Sequence, residues 1–129
     1  MTGEGKKILL VDDDENLVEA MKVTLLSQNY EVITAFDGED GVKKVKEEKP
    51  DLIILDIMMD KKHGYDVCAE LKRDPVFSSI PVIILTGVGE HLHEKEWSHH
   101  QGLTLDAEDF IEKPIKPTEL LGRIKELLS

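Results

Sequence analysis

Asp51-Leu52-Ile53-Ile54-Leu55-Asp56 decides the fold. Its four apolar residues run without interruption, and a carboxylate closes them. An amphipathic strand would alternate; a continuous run rich in Ile marks a strand covered on both faces, as in a parallel sheet. Working outward, the same pattern recurs in Ile8-Leu9-Leu10-Val11 and Val82-Ile83-Ile84-Leu85, with a shorter version in Val32-Ile33 and a weaker fifth candidate in Phe110-Ile111.

Helical spacing fills the intervals. Leu17, Ala20, Met21, Thr24 and Leu25 share one stripe of a helix expected to end near Asn29. Asp37 is placed to cap a second, with Gly41, Val42 and Val45 on its inner face and its end before Pro50. A third is expected from about Tyr65 to Arg73, stopped by Asp74-Pro75. The last opens on Pro117 and carries Leu120, Leu121, Ile124, Leu127 and Leu128. Alternating strands and helices imply βαβ crossovers and a three-layer α/β sandwich. The segment from Gly87 to Asp109 fits less well. A helix is expected between the fourth and fifth strands, and Glu94 to His100 could form one, but the stretch is His-rich, carries Trp97 and is interrupted by Gly102.

The 129 residues suit one compact domain, and 27 acidic against 16 basic residues give a net charge of −11. A field of that sign repels phosphate backbones and anionic membranes, so nucleic-acid binding by this chain is not expected. Neither a membrane-length apolar run nor a signal-peptide pattern occurs, and a cytoplasmic location is expected. Cys68, the only cysteine, is expected half-buried on a helix in a structural role. His91, His93, His99 and His100 match no strong metal-ligand spacing and read as a solvated patch.

Chemistry gathers at the carboxyl ends of the strands. The first ends in Asp12-Asp13-Asp14, the third in Asp56 and the fourth in Thr86, while Lys113-Pro114 follows the fifth. No glycine-rich phosphate loop is present. Clustered carboxylates repel one another unless a cation sits among them, and hard oxygen donors suit Mg²⁺. A carboxylate can also attack phosphorus, a step that needs charge neutralisation on the equatorial oxygens by a metal, an ammonium and a hydroxyl. Asp13, Asp56, Thr86 and Lys113 supply that set. In isolation each has a plainer reading: Asp12 to Asp14 as a helix cap, Thr86 as a strand former, Lys113-Pro114 as a turn and Phe110 as core.

In Ile8-Leu9-Leu10-Val11-Asp12-Asp13-Asp14-Glu15, Asp51-Leu52-Ile53-Ile54-Leu55-Asp56, Ile83-Ile84-Leu85-Thr86-Gly87 and Ile111-Glu112-Lys113-Pro114, the sequence resembles a receiver domain of the two-component response regulator family. The four stretches occur in the family's order, and the resemblance covers nearly the whole chain. It implies a flavodoxin-like doubly wound five-stranded parallel sheet, in order 2-1-3-4-5 with helices on both faces, and a single receiver domain over residues 1–129 without an output domain.

The resemblance further implies that Asp56 accepts a phosphoryl group from a bacterial sensor histidine kinase, a phosphotransfer protein or a small donor such as acetyl phosphate. Mg²⁺ is held by Asp12, Asp13, Asp56 and the backbone carbonyl of Met58. Thr86 and Lys113 bind phosphoryl oxygens, Gly87 gives phosphate access, and Thr86 with Phe110 forms the switch that acts on an unknown downstream protein. A homodimer is a further expectation. Enzymatic activity is expected to stop at self-phosphorylation and slow self-dephosphorylation. Apolar side chains at Met58 and Val88 predict a long-lived phosphoryl group.

Two features depart from the family pattern. Asp60 and His63 stand where Pro and an acidic residue are usual, and the Gly87 to Asp109 segment is longer and lacks the usual Gly-Ala pair. The second suggests an unusual partner or dimer mode. Two other readings remain. One is a receiver-like module that binds partners without phosphorylation. The other is a Mg²⁺-dependent aspartyl-phosphate phosphohydrolase, for which Asp12 and Asp14 have the right spacing but no cap domain is present and Asp56 has no role.

Overall fold

A computed structural model describes residues 5–57, 63–87 and 107–129. Met58, the loop to Lys62, Val88 and nearly all of the His-rich segment lie outside the described residues, so the helix expected at Glu94 to His100 does as well.

Five strands form one sheet: β1 (Lys7–Val11), β2 (Glu31–Ala35), β3 (Leu52–Asp56), β4 (Val82–Thr86) and β5 (Asp109–Glu112). Their order is β2-β1-β3-β4-β5 and every pairing is parallel. The helices described are α1 (Glu15–Leu26), α2 (Gly38–Glu48), α3 (Gly64–Arg73) and α4 (Pro117–Leu128).

Alternation along the strands divides the core in two. Leu9, Val11, Ile53, Leu55 and Ile84 face Val42, Val45, Val67 and Leu71 of α2 and α3. Ile8, Leu10, Ile54, Ile83 and Leu85 face Val18, Met21, Leu25, Leu120 and Ile124 of α1 and α4. β3 and β4 are buried along their whole length, which accounts for their uninterrupted apolar sequence. β2, at one edge, is only partly covered and carries polar residues at Glu31 and Thr34.

The helix ends follow their capping chemistry. Asp14 and Asp37 accept backbone N–H bonds at the starts of α1 and α2, and Pro117 occupies the first turn of α4. α1 stops at Leu26, before the expected end. The chain then turns through Asn29, whose φ of +68° is a left-handed conformation that asparagine tolerates well. Cys68 is fully buried rather than half-buried, because α3 turns this position directly onto the sheet.

Candidate functional site

At the switch point of the sheet, the chain leaves β1 toward β2 on one side and β3 continues the sheet on the other. Side chains at the carboxyl ends of these two strands therefore converge in the crevice between their connections. Asp12 follows β1 directly, its N–H donating to the Ala35 carbonyl at 3.1 Å, and Asp56 is the last residue of β3. Carboxylate oxygens of Asp12, Asp13 and Asp56 lie within 4.8 Å of one another. Asp12 and Asp56 are buried, whereas Asp13 is exposed.

Lys113 enters from the far side. Its backbone N–H donates to the Thr86 carbonyl at 2.6 Å, just before the cis Lys113-Pro114 peptide. Its Nζ reaches Asp56 Oδ1 at 3.0 Å in a hydrogen bond and Asp12 Oδ2 at 3.3 Å as an ion pair. The other Asp12 oxygen accepts from the Asp14 N–H at 3.0 Å. Asp14 is thereby accounted for as the α1 cap and a brace for Asp12, while Asp12 and Asp13 contribute carboxylates to the cluster.

One ammonium does not balance this much negative charge. Burial, then the charge of Asp12, push the Asp56 carboxyl up to about 6 against the pull of Lys113. Burial also raises Asp12, although the Asp14 N–H and Lys113 oppose it. Burial works against the Lys113 charge, yet the hydrogen bond and field of Asp56, with Asp12, hold its pKa above the ordinary lysine value. Buried carboxylates that resist ionisation next to an exposed third one fit a hard divalent cation, which would relieve the repulsion the protein leaves in place. Asp12, Asp13 and Asp56 could hold Mg²⁺; Met58 lies outside the described residues.

Thr86 ends β4, fully buried, and its Oγ1 has no hydrogen-bond partner. Buried hydroxyls are nearly always paired, so an orphan at the carboxyl end of the strand beside β3 fits a pocket made for oxygens from outside the chain. Phe110 pairs in register with Ile84, two residues before Thr86, and packs half-buried against the core face that carries Ile84. Thr86 and Phe110 therefore belong to the same face of the sheet. Gly87, half-buried, follows Thr86 directly.

Sequence reasoning did not find the support behind Asp56. The Gly64 N–H donates to the Ile57 carbonyl at 2.9 Å, and a Cβ added to Gly64 would overlap the Asp56 carbonyl oxygen and come within 2.8 Å of the Ile57 Cα. Glycine at the first position of a helix that follows a strand-end acid was the available signal.

A doubly wound sheet with a carboxylate cluster and an ammonium at its switch point and a buried hydroxyl at the end of the next strand defines a class, and the similarity to known proteins agrees with it. The response regulator receiver domain model matches residues 8–125, and the chain belongs to that family. It is 42% identical over 123 residues to the alkaline phosphatase synthesis transcriptional regulatory protein PhoP of Bacillus subtilis, covering 95% of this chain and 48% of that protein. It is 39% identical over 124 residues to the phosphate regulon transcriptional regulatory protein PhoB of Pseudomonas aeruginosa, covering 96% and 52%. The chain thus spans about half the length of these relatives.

Among solved structures, the signal receiver domain of a signal transduction histidine kinase from Syntrophus aciditrophicus superposes with a TM-score of 0.84 at 33% identity, over 96% of this chain and 90% of that one. A CheY-like receiver domain protein from Methanospirillum hungatei gives 0.82 at 30% identity, over 95% and 93%. By name these relatives are transcriptional regulators and receiver domains. No described helix is long and apolar enough to cross a membrane.

Proposed function

We propose that this chain is a phosphorylation-operated switch whose phosphoacceptor is Asp56. The observation that carries the reading is the Lys113 ammonium held 3.0 Å from Asp56 Oδ1, beside Asp12 and Asp13 and close in the fold to the unpartnered Thr86 hydroxyl.

An Asp56 carboxylate oxygen would attack phosphorus. The new O–P bond replaces a P–N bond to the histidine of a kinase or phosphotransfer protein, or the P–O bond of a small donor such as acetyl phosphate. The bond's electron pair leaves with the imidazole or acetate. Asp12, Asp13 and Asp56 would hold Mg²⁺, which supplies charge neutralisation for the phosphoryl oxygens. Lys113 then trades its contact with Asp56 for one with a phosphoryl oxygen. Thr86 donates its unused hydroxyl to another, and Gly87 leaves the approach open. The half-buried Phe110, on the same face as Thr86, follows the change in packing and carries it to a downstream protein through the last two strands.

The 129 residues act as one receiver unit, without base-pair or phosphate-backbone contacts of their own at a net charge of −11. The test is incubation with acetyl phosphate and Mg²⁺, beside Asp56→Asn, followed by intact mass. A Mg²⁺-dependent phosphoryl adduct on the wild type alone is expected. An adduct that persists in the variant, or none in the wild type from acetyl phosphate or from a phosphorylated histidine donor, overturns the reading.

A further inference from the structure

His63 immediately precedes α3 in a conformation typical of a helix cap (φ −64°, ψ 145°), and its ring nitrogen Nδ1 accepts from the Tyr65 N–H at 3.2 Å. Its ring stacks on Tyr65, centroids 5.3 Å apart and planes 20° from parallel. Tyr65 is buried, so the stack fixes the imidazole to the core. The capped turn includes Gly64, whose backbone is pressed on the Asp56–Ile57 peptide without room for a Cβ.

We infer that His63 is a positioning residue for Asp56: its unprotonated Nδ1 closes the first turn of α3 and so keeps Gly64 seated against the phosphoacceptor's peptide. The inference rests on the reading of Asp56 as phosphoacceptor and adds a residue whose side chain takes no part in the transfer. An imidazole fills the capping role only as an acceptor. With both nitrogens protonated it has no lone pair to offer and brings a positive charge to the positive end of the helix. An ordinary cap from Asp or Asn has no such condition near neutral pH. Among the described residues, the charged groups near this turn are Asp66, exposed in the first turn of α3, and Asp56, whose backbone lies behind Gly64. Asp60, Lys61 and Lys62 precede it in sequence, outside the described residues.

The test compares the wild type with His63→Ala and His63→Asn. The first removes the acceptor; the second keeps one that does not titrate. Two quantities are read: the phosphorylation rate with acetyl phosphate and Mg²⁺, and, without metal or donor, the backbone amide shifts of Asp56, Ile57 and Gly64. His63→Ala should slow phosphorylation about fivefold, the worth of one helix cap, and move all three amides. His63→Asn should restore both. As pH falls through the imidazole range, the wild type should lose rate relative to His63→Asn and its three amides should drift toward their positions in His63→Ala.

Unmoved amides in His63→Ala, or wild-type and Asn profiles that run parallel with pH, overturn the inference. If the wild type takes no phosphoryl group, the reading of Asp56 fails, while the amide shifts still decide whether His63 positions it.

Discussion

Both ends of the β3–β4 pair hold a lysine against carboxylate, and the two ends treat it in opposite ways. At the amino end, Lys72 is nearly buried, and its Nζ donates to the Ser78 carbonyl at 3.1 Å, the Ile80 carbonyl at 2.8 Å and both Glu108 oxygens at 3.0 Å. Glu108 in turn accepts from the Val82 N–H at 2.6 Å. All the donors of the ammonium are used, and the cluster ties the end of α3 to the starts of β4 and β5. At the carboxyl end, Lys113 is shared between two buried carboxylates, both raised in pKa, and the Thr86 hydroxyl is unused. A satisfied cluster is scaffold. An unsatisfied one is folded against its own electrostatics, as the proposed switch would require.

That contrast gives opposite signs to mutations of similar chemistry. The largest effect is expected at the amino end. Lys72→Met keeps the apolar stem and removes the ammonium, leaving two carbonyls and a partly covered carboxylate without their donor. Urea unfolding should show a loss of about 3 kcal/mol, the scale for removing a nearly buried ammonium that serves two carbonyls. A loss below about 0.5 kcal/mol, the range of ordinary surface changes, would erase the distinction between the two ends.

Asp56→Asn should act the other way. The carboxyl binds its proton more tightly in the folded chain, at about 6, than in the unfolded chain, at 3.8. Its ionisation therefore opposes folding. In the metal-free wild type this penalty is absent below pH 3.8, grows as pH rises from 3.8 and is complete above about 6. The variant should be more stable than the wild type by roughly 2 kcal/mol at pH 7.5, allowing for relaxation around a shift of that size, with the gap closing toward pH 4. Mg²⁺ should narrow the gap at pH 7.5 by stabilising the wild type alone. A gap that stays constant with pH would remove Asp56 as its source.

Much of this was legible in the sequence, for a physical reason. Strands buried on both faces cannot alternate, so Leu52 to Leu55 and Val82 to Leu85 identify a parallel sheet, and acids at the ends of such strands stand out because nothing in the core tolerates them. Contacts that depend on how distant segments meet were less legible. Glu108 reads as one acid in an acidic turn until Lys72, 36 residues earlier, is seen beside it. His63 reads as a departure from the family pattern until its ring nitrogen is found at the α3 cap. Cys68 looked half-buried because helical spacing gives a face but not the depth at which that face meets the sheet.

The smallest predicted effect is the sharpest test of the contrast, because it separates stability from function within one side chain. Thr86→Val replaces a buried hydroxyl that has no partner with a methyl of similar size. Where a buried hydroxyl is paired, this exchange costs stability. Here the desolvation penalty of an unused polar group is relieved, so the metal-free variant should gain about 1 kcal/mol. The same change removes the donor that a phosphoryl group on Asp56 would recruit. Phosphorylation should still occur, since Asp56 and Lys113 are untouched, but the shift it produces at the Phe110 amide should disappear. A less stable Thr86→Val would mean that the hydroxyl already serves the resting fold, and the carboxyl end would then be scaffold like the amino end.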